Sequence, residues 1–365
     1  MGIPTCYSRG KKERGRNMAS EENIRVPEPM SGGILLSYNC SAACKHCMYA
    51  CSRAWRGDWI TEDDLYLLLR NIAPYIQTSP FGEEAFSLNY GLHFTGGEPF
   101  LNFPLLLKGV EMATSLGISG LFVETNCSWA TSDELTLERL QLLKGEGLNS
   151  ILISVNPFYL EFVPFERTER VVNISRKVFS NHMMVYQPAY YNRFLQMGIK
   201  GTMPLSEYLE VEDELEFGRQ VEFFLSGRAP YALEQYGLFP QYRAHYYFDY
   251  PCVPSFLRPW HNHFDNYGNY MPGYCGGISF GDFRLLDELL EAGLPPSQYP
   301  ILDFIVKNDF RTLFNFALSY GYEEREEGYL SKCHLCLDIR RFLVSRDSFE
   351  ELQPVEFYSH IEDER

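Results

Sequence analysis

Three cysteines stand close together early in the chain, Cys40, Cys44 and Cys47, in the spacing C-x3-C-x2-C, and Cys51 follows after three more residues. Thiolates are soft ligands and oxidation hazards, so three in one short stretch point to a metal ion or cluster. In a loop after a strand, three cysteines can hold three irons of a 4Fe–4S cluster and leave the fourth iron with an open coordination position. With Cys51 as a fourth ligand, the same stretch would make a closed ferredoxin-like or zinc site. A ferredoxin run has a shorter first spacing and ends in proline, where this chain has Ser52. Zinc sites favour paired C-x2-C knuckles, which this stretch lacks.

The elements that must position these residues alternate. ILLSY (34–38) reads as a buried strand, and Thr61 caps a helix that follows it. GLHFT (91–95), LFVET (121–125), SILISV (150–155) and MMVYQ (183–187) read as further strands. Helices at 103–117, 133–146 and 166–180 separate them. Five strand–helix alternations imply an α/β fold with a parallel sheet, either a partial (β/α)6 TIM-like barrel or an open doubly wound sheet. In both, ligands bind at the C-terminal ends of the strands. The polar stretches Cys40–Cys47, Thr95–Pro99, Thr125–Cys127 and Ser154–Asn156 all follow strands, which predicts one shared site. Beyond Gln187 the alternation breaks down. Residues 207–225 read as one acidic amphipathic helix, and 228–260 are crowded with Tyr, Phe and Pro.

The 365 residues suffice for about two domains. Residues 1–30 are polar and aperiodic and read as a disordered leader that contains Cys6 and a second methionine, Met18; no role is assigned to Cys6. Residues 31–245 form the core with a segment covering the substrate, 246–345 a small cysteine-rich extension, and 346–365 an acidic tail. The net charge of −16 argues against nucleic acid as partner. No apolar run reaches membrane-spanning length and no signal peptide is recognisable. Ten cysteines in a chain of this kind imply metal or redox chemistry in the cytoplasm rather than a disulfide framework.

TGGEP (95–99) directly follows the second strand: its glycines let backbone approach a ligand, and Glu98 supplies charge for an ammonium group. Together, CSAACKHC and TGGEP resemble the radical SAM superfamily. The resemblance implies a 4Fe–4S cluster on Cys40, Cys44 and Cys47 whose open iron chelates S-adenosylmethionine, with Cys51 a bystander. It places His46 beside the adenine and Gly96, Gly97, Glu98 and Pro99 at the methionine moiety. Weaker matches are Asn126 in ETN (124–126), Ser154 and Asn156 after the fourth strand, and Arg167 as partner of the ligand's carboxylate. Cys127 stands where the family often has glycine, and is either a buried small residue or a thiol that relays a hydrogen atom. Tyr186 marks the fifth-strand position, where the family's glycine motif is absent.

Cys252, Cys275, Cys333 and Cys336 form a second thiol group, the last two a C-x2-C knuckle. The group suits a closed site: an auxiliary iron–sulfur cluster, a zinc or a mononuclear iron. It resembles the twitch and SPASM extensions of radical SAM enzymes, with one cluster rather than two. His261 and His263 are substrate-facing candidates in the same segment. The resemblance implies reductive cleavage to a 5′-deoxyadenosyl radical. Hydrogen abstraction would then oxidatively modify a peptide, a protein side chain or a small metabolite, with an external flavodoxin- or ferredoxin-type electron donor. The alternatives are a cobalamin-dependent radical SAM methyltransferase, for which no cobalamin signature is found, and a non-enzymatic iron–sulfur electron carrier.

Overall fold

The computed structural model describes residues 22–83, 85–212, 217 and 221–362. Its centre is a seven-stranded sheet in the order β5-β4-β3-β2-β1-β6-β7, built from β1 (Ser31–Leu35), β2 (Gly91–Thr95), β3 (Phe122–Thr125), β4 (Ser150–Ser154), β5 (Met183–Tyr186), β6 (Asn262–Phe264) and β7 (Tyr270–Met271). All neighbours are parallel except β6 and β7. The connecting helices are α1 (Glu62–Ile72), α2 (Phe103–Ser115), α3 (Asp133–Gly145), α4 (Pro157–Leu160), α5 (Phe165–Phe179) and α6 (Pro188–Met197). Thr61 caps α1 by accepting from the Asp64 N–H, as its place in the sequence predicts. The mixed α/β class with its mostly parallel sheet is the one expected.

The sixth parallel strand departs from expectation. It comes from the segment 246–345 rather than from 31–245, and lies beside β1, so that segment and the core share one sheet. β1 also starts earlier than ILLSY, at Ser31. Gly32 makes this placement feasible, because a Cβ there would meet Asn262 O of β6 at 2.4 Å.

Three other assignments change. Within 1–30, Ile24 and Val26 are buried and Ile24 pairs with Leu294, so residues 22–30 belong to the folded body. Cys6 and Met18 lie outside the described residues. The tail is not peripheral: Leu352, Phe357 and Ile361 are fully buried, and burying apolar surface outweighs the acidic residues between them. Of the helix expected over 207–225, the described part comprises Leu205–Val211 and the helical Phe217, while residues 221–225 are not helical and bring Phe223 and Phe224 to the cavity described below. Among the described residues, no helix is long and apolar enough to cross a membrane.

Candidate functional site

The cysteine loop is closed at its base by main-chain pairing. Cys40 N–H donates to Ser52 O (3.1 Å) and Ser52 N–H to Tyr38 O (3.3 Å), so residues 40–51 project as one excursion from the end of β1. Inside the excursion sits Arg228, buried. Its guanidinium donates to Ala50 O (2.8 Å), Cys44 O (3.0 Å) and Cys51 O (3.3 Å), and its own N–H donates to Cys47 O (3.0 Å). The loop is therefore wrapped around a cation held by carbonyls, which favours negative charge on the nearby sulfurs. Burial pushes the Cys40 thiol up to about 12 and that of Cys44 higher than usual. Cys47 is brought down to about 6, first by a hydrogen bond from Cys51 and then, against burial, by Arg228. Cys51 thus braces Cys47. None of the described cysteines forms a disulfide.

The turn after β2 is docked on this loop. Gly97 N–H donates to Ser37 O (2.8 Å) and Glu98 N–H to Asn39 O (3.2 Å). Added Cβ atoms would lie 2.4 Å from Ser37 O at Gly96 and 1.8 Å from Asn39 O at Gly97; Gly96 also has φ +120°. Only glycine lets the two segments touch. Glu98 differs from expectation. Its carboxylate is buried and accepts from Thr125 Oγ1 (2.9 Å), Asn126 N–H (2.8 Å) and Phe100 N–H (3.2 Å), so it ties the turn to β3 and does not line the cavity. Burial raises it to about 7 against these hydrogen bonds. Pro99 is buried and opens the short 3-10 turn Pro99–Asn102.

A cavity of about 300 Å3 opens at the C-terminal ends of the strands. Cys40, Cys44, Cys47 and Cys51 line one side, with His46, Gly96, Gly97 and Asn126 beside them, and Ser154 and Tyr186 across from β4 and β5. Asn126 Nδ2 reaches Ser41 Oγ (3.1 Å) and Cys40 Sγ (3.5 Å). His46 stacks on Phe158 at 4.6 Å, and burial followed by the charge of Arg228 pushes it down to about 3. Of the residues expected to contact the ligand, His46, Gly96, Gly97, Asn126 and Ser154 line this cavity.

Three expected residues lie elsewhere. Asn156 is buried and caps α4 through Oδ1, accepting from Phe158 N–H (3.0 Å) and Tyr159 N–H (3.3 Å), and its Nδ2 lies 3.4 Å from His46 Nε2; it does not line the cavity. Arg167 donates to Ser128 O and does not line the cavity. Cys127 is fully buried outside the cavity lining, with burial raising its thiol, so a relay role is not supported by its position. Its φ of +68° accounts for glycine at the corresponding place in the resembling family. Cys127→Ala is accordingly expected to leave 5′-deoxyadenosine formation within about a factor of two. A loss of cleavage at unchanged iron content would restore the relay.

The far wall was not anticipated as a unit. Glu124, Tyr49, Tyr274, His261 and His263 line it. Strand alternation offered one clue, since His93 and Thr95 fall on the same face of β2. Arg228 left no sequence signal, because its role depends on carbonyls more than 170 residues away.

The C-terminal thiols are also brought together. Cys333 lies in the first turn and Cys336 at the start of the second turn of the helix Lys332–Val344, capped by Ser331. Burial raises the Cys275 thiol, and the charges of Cys333, Cys336 and Cys252 add to this. Arg340 is buried next to Cys336 and Cys275, donating to Gly276 O (2.9 Å) and Tyr358 OH (3.0 Å). A second buried arginine thus accompanies the second thiol group.

No family model matches the chain, and no curated protein does. Solved structures similar to it include BtrN in complex with AdoMet (S-adenosylmethionine) and 2-DOIA, at 14% identity and TM-score 0.36, over 82% of this chain and 90% of that one. Another is anSMEcpe with bound AdoMet and the Cp18Cys peptide, at 14% identity and TM-score 0.42, over 91% of this chain and 96% of that one. A third is Streptococcus suis SuiB bound to S-adenosylmethionine, at 12% identity and TM-score 0.30, over 67% of this chain and 60% of that one.

Proposed function

We propose that the chain is a radical SAM enzyme that cleaves S-adenosylmethionine reductively. The observation that carries this reading is the docking of the Gly96–Gly97 turn on the three-cysteine loop, within one cavity at the strand ends. The donor set fits a 4Fe–4S cluster: three partly or fully buried thiols without disulfides, beside a buried guanidinium. Cys40, Cys44 and Cys47 would hold it. When bound, the cluster supplies the electron that breaks the ligand's sulfonium C–S bond. The Gly96–Gly97 backbone and Asn126 hold the methionine end, His46 flanks the adenine, and the aromatic residues Tyr159, Phe223 and Phe224 keep water from the reacting atoms.

On this reading the substrate enters over Tyr186 and Tyr274, toward Glu124. The size and polarity of the cavity suit a peptide side chain or a small metabolite with a hydrogen-bonding group. Oxidative modification by hydrogen abstraction is the reaction class proposed. An external donor of the flavodoxin or ferredoxin type would deliver electrons. Cys252, Cys275, Cys333 and Cys336 would hold an auxiliary iron–sulfur cluster whose negative charge Arg340 offsets.

Reconstituted protein mixed with S-adenosylmethionine and dithionite is expected to release 5′-deoxyadenosine, and Cys44→Ala to release none. An intact wild-type cluster without cleavage, together with cluster loss in Cys51→Ala, would replace this reading by that of an electron carrier.

A further inference from the structure

Gly33 in β1 is paired with His93 in β2 on one side and with His263 in β6 on the other. Laterally paired residues of parallel strands project to the same face. Because Gly33 has no side chain, the two imidazoles meet over it: a Cβ there would come within 2.3 Å of His93 Nε2 and 2.7 Å of His263 Cδ2. His261 adds a third ring, its centroid 5.4 Å from that of His93 and 4.8 Å from that of His263. One ring nitrogen of each residue lies within 4.8 Å of the other two, and all three residues are buried.

The hydrogen bonds leave lone pairs free at this point. Tyr49 OH lies 2.8 Å from His263 Nδ1 and 3.2 Å from Gly273 O; with its one proton directed to Gly273 O it accepts from His263 Nδ1–H, which leaves the lone pair of His263 on Nε2. His93 Nε2 and His261 Nδ1 have no hydrogen-bond partner. Glu124 binds Thr95 Oγ1 through Oε2 (2.9 Å) and turns Oε1 to within 3.5 Å of His93 Nε2, without hydrogen-bond geometry. Buried ring nitrogens left unpaired in this way are uncommon and costly, and two at one spot call for an occupant.

We propose that His93, His261 and His263, with Glu124 as the oxygen ligand, form a binding site for a divalent transition-metal ion of the zinc or ferrous type, separate from both cysteine groups. Imidazole and carboxylate donors suit these ions. A tetrahedral site needs the nitrogens about 3.3 Å apart, so ligation would draw the three rings inward from their present spacing. Tyr49 holds His263 in the tautomer that ligation requires. His261, His263 and Glu124 also line the cavity, so exchange of the carboxylate for a substrate oxygen or nitrogen would anchor the substrate on the wall opposite the cysteine loop.

The test uses the full chain with its iron–sulfur sites reconstituted anaerobically, freed of excess iron and titrated with Co2+ and separately with Zn2+. Wild type is expected to hold one more equivalent of either ion than His261→Ala. The extra Co2+ should show ligand-field bands of nitrogen and oxygen ligation and no thiolate-to-cobalt charge transfer. Tyr49→Phe preserves the ring and is expected to weaken Co2+ binding by about 10- to 100-fold, a readout that stands even where His261→Ala does not fold. Equal metal content in wild type and His261→Ala, unchanged affinity in Tyr49→Phe, or a thiolate charge-transfer band on the extra ion would each overturn the proposal. The outcome is independent of the radical SAM reading, which 5′-deoxyadenosine release from the same samples reports.

Discussion

Gly97→Ala is expected to abolish reductive cleavage of S-adenosylmethionine. The new methyl carbon would sit 1.8 Å from Asn39 O, 2.3 Å from Asn39 C and 2.9 Å from Cys40 N. All three are main-chain atoms, so no rotamer change relieves the clash, and the turn must separate from the cysteine loop. That separation strains or breaks the hydrogen bonds from Gly97 N–H to Ser37 O and from Glu98 N–H to Asn39 O. Overpacking of this kind costs about 1–3 kcal/mol or more. The functional loss should exceed the loss in stability, because Cys40 moves with Asn39. Gly145→Ala is the control: it lies at the end of α3 with nothing within 4 Å of an added Cβ, and is expected to leave both properties intact. Denaturant midpoints and 5′-deoxyadenosine yield, measured on both variants, decide the matter. Wild-type cleavage by Gly97→Ala would show that the turn and the loop need not touch.

Arg228→Met is expected to strip iron from the first site and to destabilise the fold by about 3–5 kcal/mol, the range seen when one partner of a buried charged network is removed. Methionine fills much of the volume but takes one donor from Cys44 O and Ala50 O, which keep Cys47 N–H and Trp55 Nε1–H, and takes the guanidinium from Cys51 O, so buried carbonyl capacity is left unmet. It also removes the positive charge that offsets anionic sulfur at Cys40, Cys44 and Cys47. Arg228→Lys should recover only part of the loss, since an ammonium cannot span carbonyls that the planar guanidinium reaches together. Iron and sulfide content per chain, with the unfolding midpoint, checks this. Unchanged iron content in Arg228→Met would mean that the loop holds its shape without the cation.

Local signals explain why much of the fold was readable. The strands GLHFT, LFVET, SILISV and MMVYQ are short apolar runs bounded by glycine, asparagine or helix caps, and each occurs within a residue or so of the predicted place. The first strand was misplaced because Ser31, Gly32 and Gly33 carry no apolar signal, although their small size is what lets β6 approach. β6 itself is three residues long, too short for a periodicity to register. Glu98 differs for a related reason: a charged residue in a ligand-binding turn reads as ligand-facing, whereas the end of β3 offers its carboxylate two hydrogen-bond donors and the following turn a third, Phe100 N–H.

The sequence by itself determined which residues could do chemistry at the first site, because C-x3-C-x2-C and the paired glycines of TGGEP are close-range patterns whose spacing carries the meaning. It also determined the α/β class, since strand and helix periodicities are local. Only the tertiary structure decided what surrounds those cysteines: Arg228 within the loop, Cys51 bonded to Cys47, and the imidazoles of His93, His261 and His263 gathered over Gly33. The contacts of Arg228 with the loop and of His93 with the other two imidazoles join residues far apart in the chain. They depend on strand order and register, which the pairing of β1 with both β2 and β6 sets and which no local pattern encodes.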